Sequence, residues 1–171
     1  FTLYSAMEQN PSITLIEGDD PVQLLKGVKN EIEIENIKKS HAQDGAAMVR
    51  FAMELEEKMA AGETLTECDI PGILRRLRGQ QEGNLGESFD TIAAYGENAA
   101  MMHYHPVPES CATLQPKGFL LVDCGGQYYG GTTDITRTYA LGTPTQAEKE
   151  AYTLVLKSHI DLAMAVFLEG V

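Results

Sequence analysis

The feature that most constrains this fold is a short apolar run that ends in an acidic residue. Residues 119–122 are four consecutive apolar side chains, followed directly by Asp123 and by the pair Gly125 and Gly126 one position later. A run of this length between glycines is typical of a buried β-strand. A carboxylate at the end of a buried strand is unfavourable unless it is paired, hydrogen-bonded or bound to a metal ion. The pattern therefore predicts a strand that carries Asp123 into a special environment.

A second carboxylate follows at a position from which it can face the first. Asp134 stands at the start of the next strand pattern, residues 135–141, after a glycine- and threonine-rich stretch. An antiparallel pair joined through that stretch would bring Asp123 and Asp134 to one side. Two facing carboxylates without a cation repel, which raises one pKa or recruits a metal ion. Oxygen ligands favour Mn, Mg or Ca, with Zn also compatible.

Explanations without a metal remain open from the spacing alone. Asp123 could cap the glycine turn, Asp134 could cap the threonine-rich backbone, or Arg137 could neutralise one of the two carboxylates. His103 and His105 form another candidate position, because two histidines two apart on an extended segment face the same way. Such a pair suits metal binding or acid–base chemistry, and it is equally compatible with a structural role.

Helical patterns dominate the first part of the chain. Apolar residues recur at three-, four- and seven-residue steps across residues 30–61, which predicts one long helix that stops at Gly62. His41 lies on the apolar stripe, so we expect it in the core or at its boundary. Asp20 and Pro21 have the residue types of a helix start and predict a short helix ahead of the long one. Before it, residues 13–16 are a β-rich run.

Two further helices are predicted from their starting residues. Thr64 and Glu67 have the spacing of a capping box ahead of a helix through residues 73–77, and Thr145 and Glu148 repeat that spacing before the last helix. The first of these helices carries a basic patch, which we expect to be solvated and paired with acidic residues: Arg75, Arg76 and Arg78. The last helix has an apolar face expected to be buried: Val155, Leu156, Ile160, Ala163, Val166 and Phe167. With strands also predicted at 88–95 and 127–129, the order indicates an α+β fold.

Charge and cysteine content exclude several function classes. The chain has 13 Lys and Arg against 25 Asp and Glu, a net charge of −12, which argues against nucleic-acid binding and against an electrostatic membrane anchor. Its three cysteines are widely spaced and form no disulfide framework or zinc motif, which indicates free thiols in a reducing compartment. Since no signal peptide is recognisable either, we expect a cytoplasmic protein. The chain starts without Met and stops within a helical pattern, so we expect a fragment.

Three segments together resemble a known family. SFDTIAAYGENAAMMHYHPVPES, LLVDCGGQYYGGTTDITRTYALGTP and TQAEKEAYTLVLKSHIDLAMAVF closely resemble the Xaa-Pro aminopeptidases (aminopeptidase P), metallopeptidases with the pita-bread fold. The resemblance implies an α+β fold, half of a pita-bread domain, with an antiparallel sheet and helices packed on one face. It further implies that residues 20–171 are the first half of the catalytic domain, and that residues 1–19 end a preceding domain or form a linker.

The resemblance also implies roles for individual residues. Asp123 would chelate one ion of a dinuclear centre, generally manganese, and Asp134 would bridge both ions. His103 would contact the substrate and support proton transfer, whereas His105 has no implied role. The remaining metal ligands, one His and two Glu, would lie in a second half beyond Val171. We therefore expect this chain alone to hold metal weakly or not at all, to be inactive, and to associate with itself through uncovered apolar surface.

The implied activity is removal of the first residue from peptides that have proline in second position. Two alternatives stay open: a non-catalytic pita-bread binding domain of the kind found in histone chaperones, and an enzyme of the prolidase or creatinase type. The presence of His103, Asp123 and Asp134 favours an enzyme. The segments HYHPVPES and GTTDITRTYALGTP favour the aminopeptidase among the enzymes.

Overall fold

The computed structural model describes residues 2–168, which divide into two compact units at Phe1–Ile34 and Glu35–Val171. The helices are α1 (Thr2–Glu8), α2 (Pro21–Gly27), α3 (Glu31–Ala60), α4 (Ile70–Arg78) and α5 (Gln146–Met164). The strands are β1 (Asn84–Glu87), β2 (Ile92–Tyr95), β3 (Phe119–Cys124), β4 (Gly126–Tyr128), β5 (Gly131–Thr132) and β6 (Ile135–Ala140). None of the described helices combines the length and the apolar character needed to cross a bilayer.

The first unit holds α1, α2 and the first turn of α3. The predicted start of α2 is confirmed, because the Asp20 carboxylate accepts a hydrogen bond of 2.9 Å from the Val22 amide and Pro21 is the first helical residue. The β-rich run at residues 13–16 forms no strand, and the helix α1 before it was not predicted. A strand needs a hydrogen-bonded partner, and Ile16 in this run is 91% exposed.

The predicted long helix is confirmed as α3, and Gly62 follows it with φ of +73°. Its buried positions are Ser40, Asp44, Ala47, Met48, Phe51 and Leu55. The expected core or boundary position of His41 is wrong, because this side chain is exposed. Its Nδ1 lies 2.8 Å from the Ile37 carbonyl oxygen one turn earlier. His41 lies at the edge of the buried stripe, whose centre runs through Ala47, Phe51 and Leu55, and periodicity alone does not show whether another segment covers it.

Two antiparallel three-stranded sheets follow, in the orders β2–β3–β6 and β1–β4–β5. The prediction of a buried strand at residues 119–122 is confirmed by β3, where Leu120, Val122 and Cys124 are fully buried and alternate with half-buried neighbours. These buried side chains join Phe51 of α3 and Leu74 of α4 in one core. The helices α3 and α4 therefore cover one face of the β2–β3–β6 sheet.

The start of α4 differs from its prediction. The capping box is formed by Thr66 and Asp69, whose carboxylate accepts hydrogen bonds from the Thr66 amide at 2.7 Å and the Thr66 hydroxyl at 2.6 Å. The predicted box at Thr64 and Glu67 is wrong, because Glu67 is buried with no exposed surface. The strand predicted at residues 88–95 is shorter in the structure, where it is β2. The strand β1 before it was not predicted, because its sequence contains no apolar run.

The last helix begins as predicted and packs differently. The Glu148 carboxylate accepts hydrogen bonds from the Thr145 amide at 2.6 Å and from its hydroxyl at 2.8 Å. No residue of α5 is buried. The predicted buried face is therefore wrong for this chain, with Val155 70% exposed. Our expectation that the same face lacks support in this chain alone agrees with that exposure.

Candidate active site

The two aspartates selected from the sequence belong to one face of the β3–β6 pair. Asp123 lies opposite Thr136 in the strand register, and Asp134 directly precedes β6. Because side chains alternate along a strand, positions 123, 134 and 136 share a face. Asp123 is half-buried and Asp134 is exposed. The antiparallel pairing thus brings both carboxylates to the side opposite the buried residues Val122 and Cys124.

The hydrogen bonds at this strand pair do not support Asp123 as the cap of the glycine turn, nor Arg137 as the cation that neutralises an aspartate. The Thr136 hydroxyl donates a hydrogen bond to Asp123 Oδ1, with an oxygen–oxygen distance of 2.7 Å. The glycine turn is capped by Thr133, whose hydroxyl oxygen accepts from the Gly126 amide at 2.8 Å. Arg137 donates to the carbonyl oxygen of Thr136 at 2.8 Å. Within residues 2–168 no ion pair joins Asp123 or Asp134 to a cation.

These two carboxylates fit part of a divalent-metal site. Their oxygens are hard ligands, and their shared negative charge is not neutralised by a neighbouring arginine or lysine among the described residues. An ion held by oxygen ligands needs about six donors. Over residues 2–168 no three or more His, Cys, Asp or Glu side chains converge as a complete set of ligands. Asp123 and Asp134 can therefore supply some of the ligands and not all of them.

His103 lies apart from the strands, in the turn that follows the short 3-10 helix Gly96–Ala100. Its side chain is exposed, as is that of His105. His103 has φ of +59°, the only positive φ of a non-glycine residue within the described chain. Few non-glycine residues adopt this left-handed conformation, because Cβ approaches the carbonyl oxygen too closely. Surrounding contacts must therefore hold the backbone at His103.

A buried charged network lies directly behind the two aspartates. Asp44 of α3 and Arg78 of α4 are both buried, and they form two hydrogen bonds, Nε–Oδ1 at 2.6 Å and Nη2–Oδ2 at 3.0 Å. Asp44 also accepts hydrogen bonds of 2.9 Å from Tyr128 and from Thr133. Arg78 Nη2 lies 3.2 Å from the sulfur of Cys124. Thr133 precedes Asp134 and Cys124 follows Asp123, so this network holds the backbone beside each aspartate.

The electrostatics of this network are dominated by the ion pair. Burial alone would raise the pKa of Asp44. The hydrogen bonds and positive charge of Arg78, together with the hydrogen bonds from Thr133 and Tyr128, bring this pKa below its usual value. Burial and the nearby Asp44 charge raise the pKa of Tyr128. Gly126 approaches this cluster closely: an added Cβ would lie 2.8 Å from the Tyr128 ring and 3.2 Å from Asp44 Oδ1. Glycine at this position is therefore required by space.

A second buried carboxylate, Glu67, lies behind the segment that carries His103. It accepts hydrogen bonds from the Tyr95 amide at 2.6 Å, the Ala112 amide at 2.8 Å and the Tyr104 hydroxyl at 2.8 Å. The Asn98 side-chain amide donates to both of its oxygens, at 3.0 and 3.2 Å. No lysine or arginine within residues 2–168 forms an ion pair with it. Burial and the bond to Glu67 raise the pKa of Tyr104 to about 12.

Sequence reasoning missed both networks. Arg78 was expected on a solvated face, and this is wrong, because it is 1% exposed. The expectation is confirmed for Arg75 and Arg76, which pair with Glu87 and Glu54 at the surface. The available signal was Asp44, which lies on the apolar stripe three and four residues before buried positions 47 and 48. A charge inside such a stripe needs a buried partner.

Comparison with known proteins gives the family. The model of metallopeptidase family M24 matches residues 35–171. Aminopeptidase P2 of Arabidopsis thaliana is 43% identical over 166 residues, which cover 97% of this chain and 23% of that protein. A protein of Fusarium vanettenii named probable Xaa-Pro aminopeptidase P is 46% identical over 151 residues, covering 88% of this chain and 24% of the relative. The chain thus spans less than a quarter of the length of these curated relatives.

Solved structures agree with the sequence relatives. The X-prolyl aminopeptidase of Caenorhabditis elegans, described as a cytosolic enzyme with a di-nuclear active site, superposes with a TM-score of 0.82 at 38% identity, covering 89% of this chain and 25% of that one. The X-Pro aminopeptidase of Thermotoga maritima gives 0.71 at 29% identity, covering 83% and 38%. The expected fold class, α+β with the pita-bread architecture, is therefore confirmed. From its match over residues 35–171 and these relatives, the chain belongs to metallopeptidase family M24.

Proposed function

We propose that the full-length protein carrying this chain is a metal-dependent aminopeptidase that removes the first residue from peptides with proline in second position. The names of its relatives support this activity. The observation that carries the proposal is the pair Asp123 and Asp134, which share one face of a strand pair without a cation from the described chain beside them. In a metallopeptidase family, two such carboxylates are suited to binding metal.

Asp123 and Asp134 would act as ligands of two divalent ions. We propose manganese, since carboxylate oxygens suit it and the Caenorhabditis elegans neighbour is described as di-nuclear. Bound ions of this kind supply Lewis-acid activation of the scissile carbonyl and of water. The half-buried Asp123, with its hydrogen bond from Thr136, is the more firmly oriented of the two ligands.

His103 would contact the substrate and support proton transfer. The Xaa-Pro bond is a tertiary amide, so its nitrogen leaves as an amine only after it has received a proton. An exposed imidazole can take part in that transfer because a histidine ring nitrogen can both accept and donate a proton under physiological conditions. We give His105 no role in this reaction.

The wider assignments are proposals of the same kind. Residues 20–171 would form the first half of the pita-bread catalytic domain, and residues 1–19 would end a preceding domain or form a linker. Residues 20–34 are included on the sequence resemblance, since the family match begins at residue 35. We propose a cytoplasmic protein that acts on peptides, not on nucleic acid or membranes, and that forms a homo-oligomer. The exposed apolar side chains of α5 support self-association.

The metal assignment is tested with Asp123→Asn in the full-length protein. We expect Xaa-Pro cleavage to be abolished and the divalent-ion content, measured by elemental analysis, to fall, with the circular dichroism spectrum unchanged. Asp19→Asn, an exposed change in the other compact unit, is the matched control and should alter neither quantity. Full activity of Asp123→Asn with unchanged metal content would overturn the assignment.

The role of His103 is tested separately. His103→Ala should lower kcat strongly while the metal content stays at the wild-type value, and loss of metal would make His103 a ligand instead. Substrate length separates the enzyme alternatives: cleavage of Xaa-Pro dipeptides alone would indicate a prolidase-type enzyme. Binding of peptides without any cleavage would indicate the non-catalytic domain.

A further inference from the structure

We propose that Glu67 is a positioning residue for His103, acting through Tyr104 and the segment on either side of it. This inference rests on the catalytic role proposed for His103. Glu67 is fully buried, and none of its side-chain hydrogen bonds involves a candidate metal ligand. Its side-chain hydrogen bonds instead all come from residues 95–112, the segment that contains His103, and they hold the backbone at both ends of that segment and the Tyr104 side chain next to the histidine.

The pattern of hydrogen bonds around Glu67 is unusual for a structural carboxylate. A buried carboxylate is normally paired with a cation, whereas Glu67 is satisfied by neutral donors that converge from residues 95–112. The Tyr95 amide lies at the start of this segment and the Ala112 amide at its end. Asn98 and Tyr104 donate from within it. A single side chain thus ties down a stretch that has little regular secondary structure of its own.

The contact nearest to the chemistry is the Tyr104 hydroxyl. Tyr104 directly follows His103 and donates to Glu67 Oε2 at 2.8 Å. The Asn98 amide lies 3.2 Å from the Tyr104 oxygen, so the tyrosine is held from two sides. Since adjacent residues share a peptide plane, fixing Tyr104 restricts the backbone of His103.

The conformation of His103 shows why such restraint is needed. Its φ of +59° is disfavoured for a residue with a Cβ atom. Residues in sparsely populated backbone regions persist only where the surroundings over-determine them, and they concentrate at functional sites. The side chain of His103 is itself exposed and forms no hydrogen bond to another residue of the described part of the chain, so the restraint comes through its backbone neighbours. Glu67 supplies the buried anchor for those neighbours.

The test compares two tyrosines in the full-length protein. Tyr104→Phe removes the hydroxyl that donates to Glu67, and Tyr95→Phe removes a hydroxyl that donates to the Lys117 carbonyl at the same 2.8 Å. Tyr95 reaches Glu67 through its backbone amide, so its aromatic change leaves that bond in place. We expect Tyr104→Phe to lower kcat for an Xaa-Pro peptide by about ten- to a hundredfold, as misplacement of a reacting group does. Tyr95→Phe should leave kcat within about twofold of wild type.

A double-mutant cycle separates positioning from a general loss of structure. Once His103→Ala has removed the imidazole, Tyr104→Phe should lower kcat no further, because its effect passes through His103. Metal content by elemental analysis should be the same in all variants. Glu67→Gln, as a second variant, should reproduce the kcat loss of Tyr104→Phe with the same dependence on His103.

Each outcome bears on a distinct claim. If Tyr104→Phe has the kcat of Tyr95→Phe while His103→Ala is strongly impaired, the positioning role is overturned and the proposed function stands. An undiminished effect of Tyr104→Phe in the His103→Ala background also overturns the positioning role. Wild-type kcat in His103→Ala refutes the catalytic role itself, and this inference with it.

Discussion

Two buried carboxylates support two parts of the candidate site, and they are satisfied in opposite ways. Asp44 lies behind the aspartate pair and is matched by the charge of Arg78, with two hydroxyl groups completing its shell. Glu67 lies behind the His103 segment and is matched by two backbone amides, an asparagine and a tyrosine, all of them neutral. The first carboxylate joins α3 to α4 through an ion pair and reaches the strand region through the hydroxyl groups of Tyr128 and Thr133. The second joins an irregular segment to the core mainly through that segment's backbone amides.

The difference indicates what each carboxylate can tolerate. Removing one member of a buried ion pair leaves an uncompensated charge, which is among the most destabilising changes in a protein. Removing one of several neutral donors destabilises the protein less, because the carboxylate keeps its other hydrogen-bond partners. The two halves of the site should therefore respond differently to substitution, and four predictions test that comparison on the full-length protein.

The largest effect is expected for Arg78→Met, which leaves the Asp44 charge buried without its cation. We expect the free energy of unfolding to fall by about 3–5 kcal/mol. Arg76→Met on the same helix is the matched control, because Arg76 pairs with Glu54 at the surface; it should lose about 1 kcal/mol or less. Urea denaturation measures both. Equal losses in the two variants would show that Asp44 does not depend on Arg78.

Glu67→Gln should have the next largest effect. The glutamine amide would turn its own N–H groups toward amides that now donate to a carboxylate oxygen, so at least one buried donor loses its acceptor. We expect a loss of about 2–3 kcal/mol, again by urea denaturation. Glu54→Gln at the surface should change the stability by under about 1 kcal/mol, and a similar value for Glu67→Gln would contradict the contrast drawn here.

Tyr104→Phe should destabilise the protein less, because Glu67 keeps its other donors. We expect a loss of about 1.5–2 kcal/mol, because the lost hydrogen bond is to a charged group. Tyr95→Phe, whose hydroxyl donates to a neutral carbonyl oxygen at the surface, should lose about 1 kcal/mol or less. Thermal unfolding of the two variants should therefore differ only modestly, although only Tyr104→Phe should affect kcat. A much larger loss in Tyr104→Phe would mean that the segment unfolds without this bond.

The smallest effect is a pH dependence of the difference in unfolding free energy between wild type and Arg78→Met. In the wild type the pKa of Asp44 is lowered, so its contribution to stability is present above the unfolded pKa near about 4 and is lost as the pH falls through the folded value. Without Arg78, burial remains as the main influence and raises that pKa, so the variant gains relative stability as the pH falls. The difference should narrow from neutral pH toward pH of about 4, in urea titrations at each pH. A widening difference would refute the ion-pair explanation.

Local patterns predicted much of the secondary structure. The apolar run before Asp123, the stop at Gly62 and the capping box at Thr145 and Glu148 all correspond to observed element ends. Each of these signals depends on residues only a few positions apart. The position of Asp134 just before β6 also followed from the local pattern. What these local signals could not supply was the partner of any residue distant in the chain.

The errors come from contacts between distant residues. Arg78 and Arg76 look alike in the sequence, yet one is buried against Asp44, 34 residues away, and the other is at the surface. Glu67 had the spacing of a capping residue, and it instead receives donors from residues 95–112, which the chain folds around it. His41 and the apolar face of α5 were expected to be buried from periodicity alone, which cannot say whether anything covers them.

By itself, the sequence determined the buried strand that carries Asp123, the end of α3 before Gly62, the start of α5 at Thr145, and which two carboxylates the strand pair presents. That follows because backbone propensity, capping and side-chain alternation act over a few residues. Only the tertiary structure decided which charged side chains are buried, which of them pair with a cation, and how the left-handed backbone at His103 is held. Those outcomes depend on desolvation and hydrogen bonding between segments tens of residues apart, and a local sequence pattern does not show which distant groups come into contact.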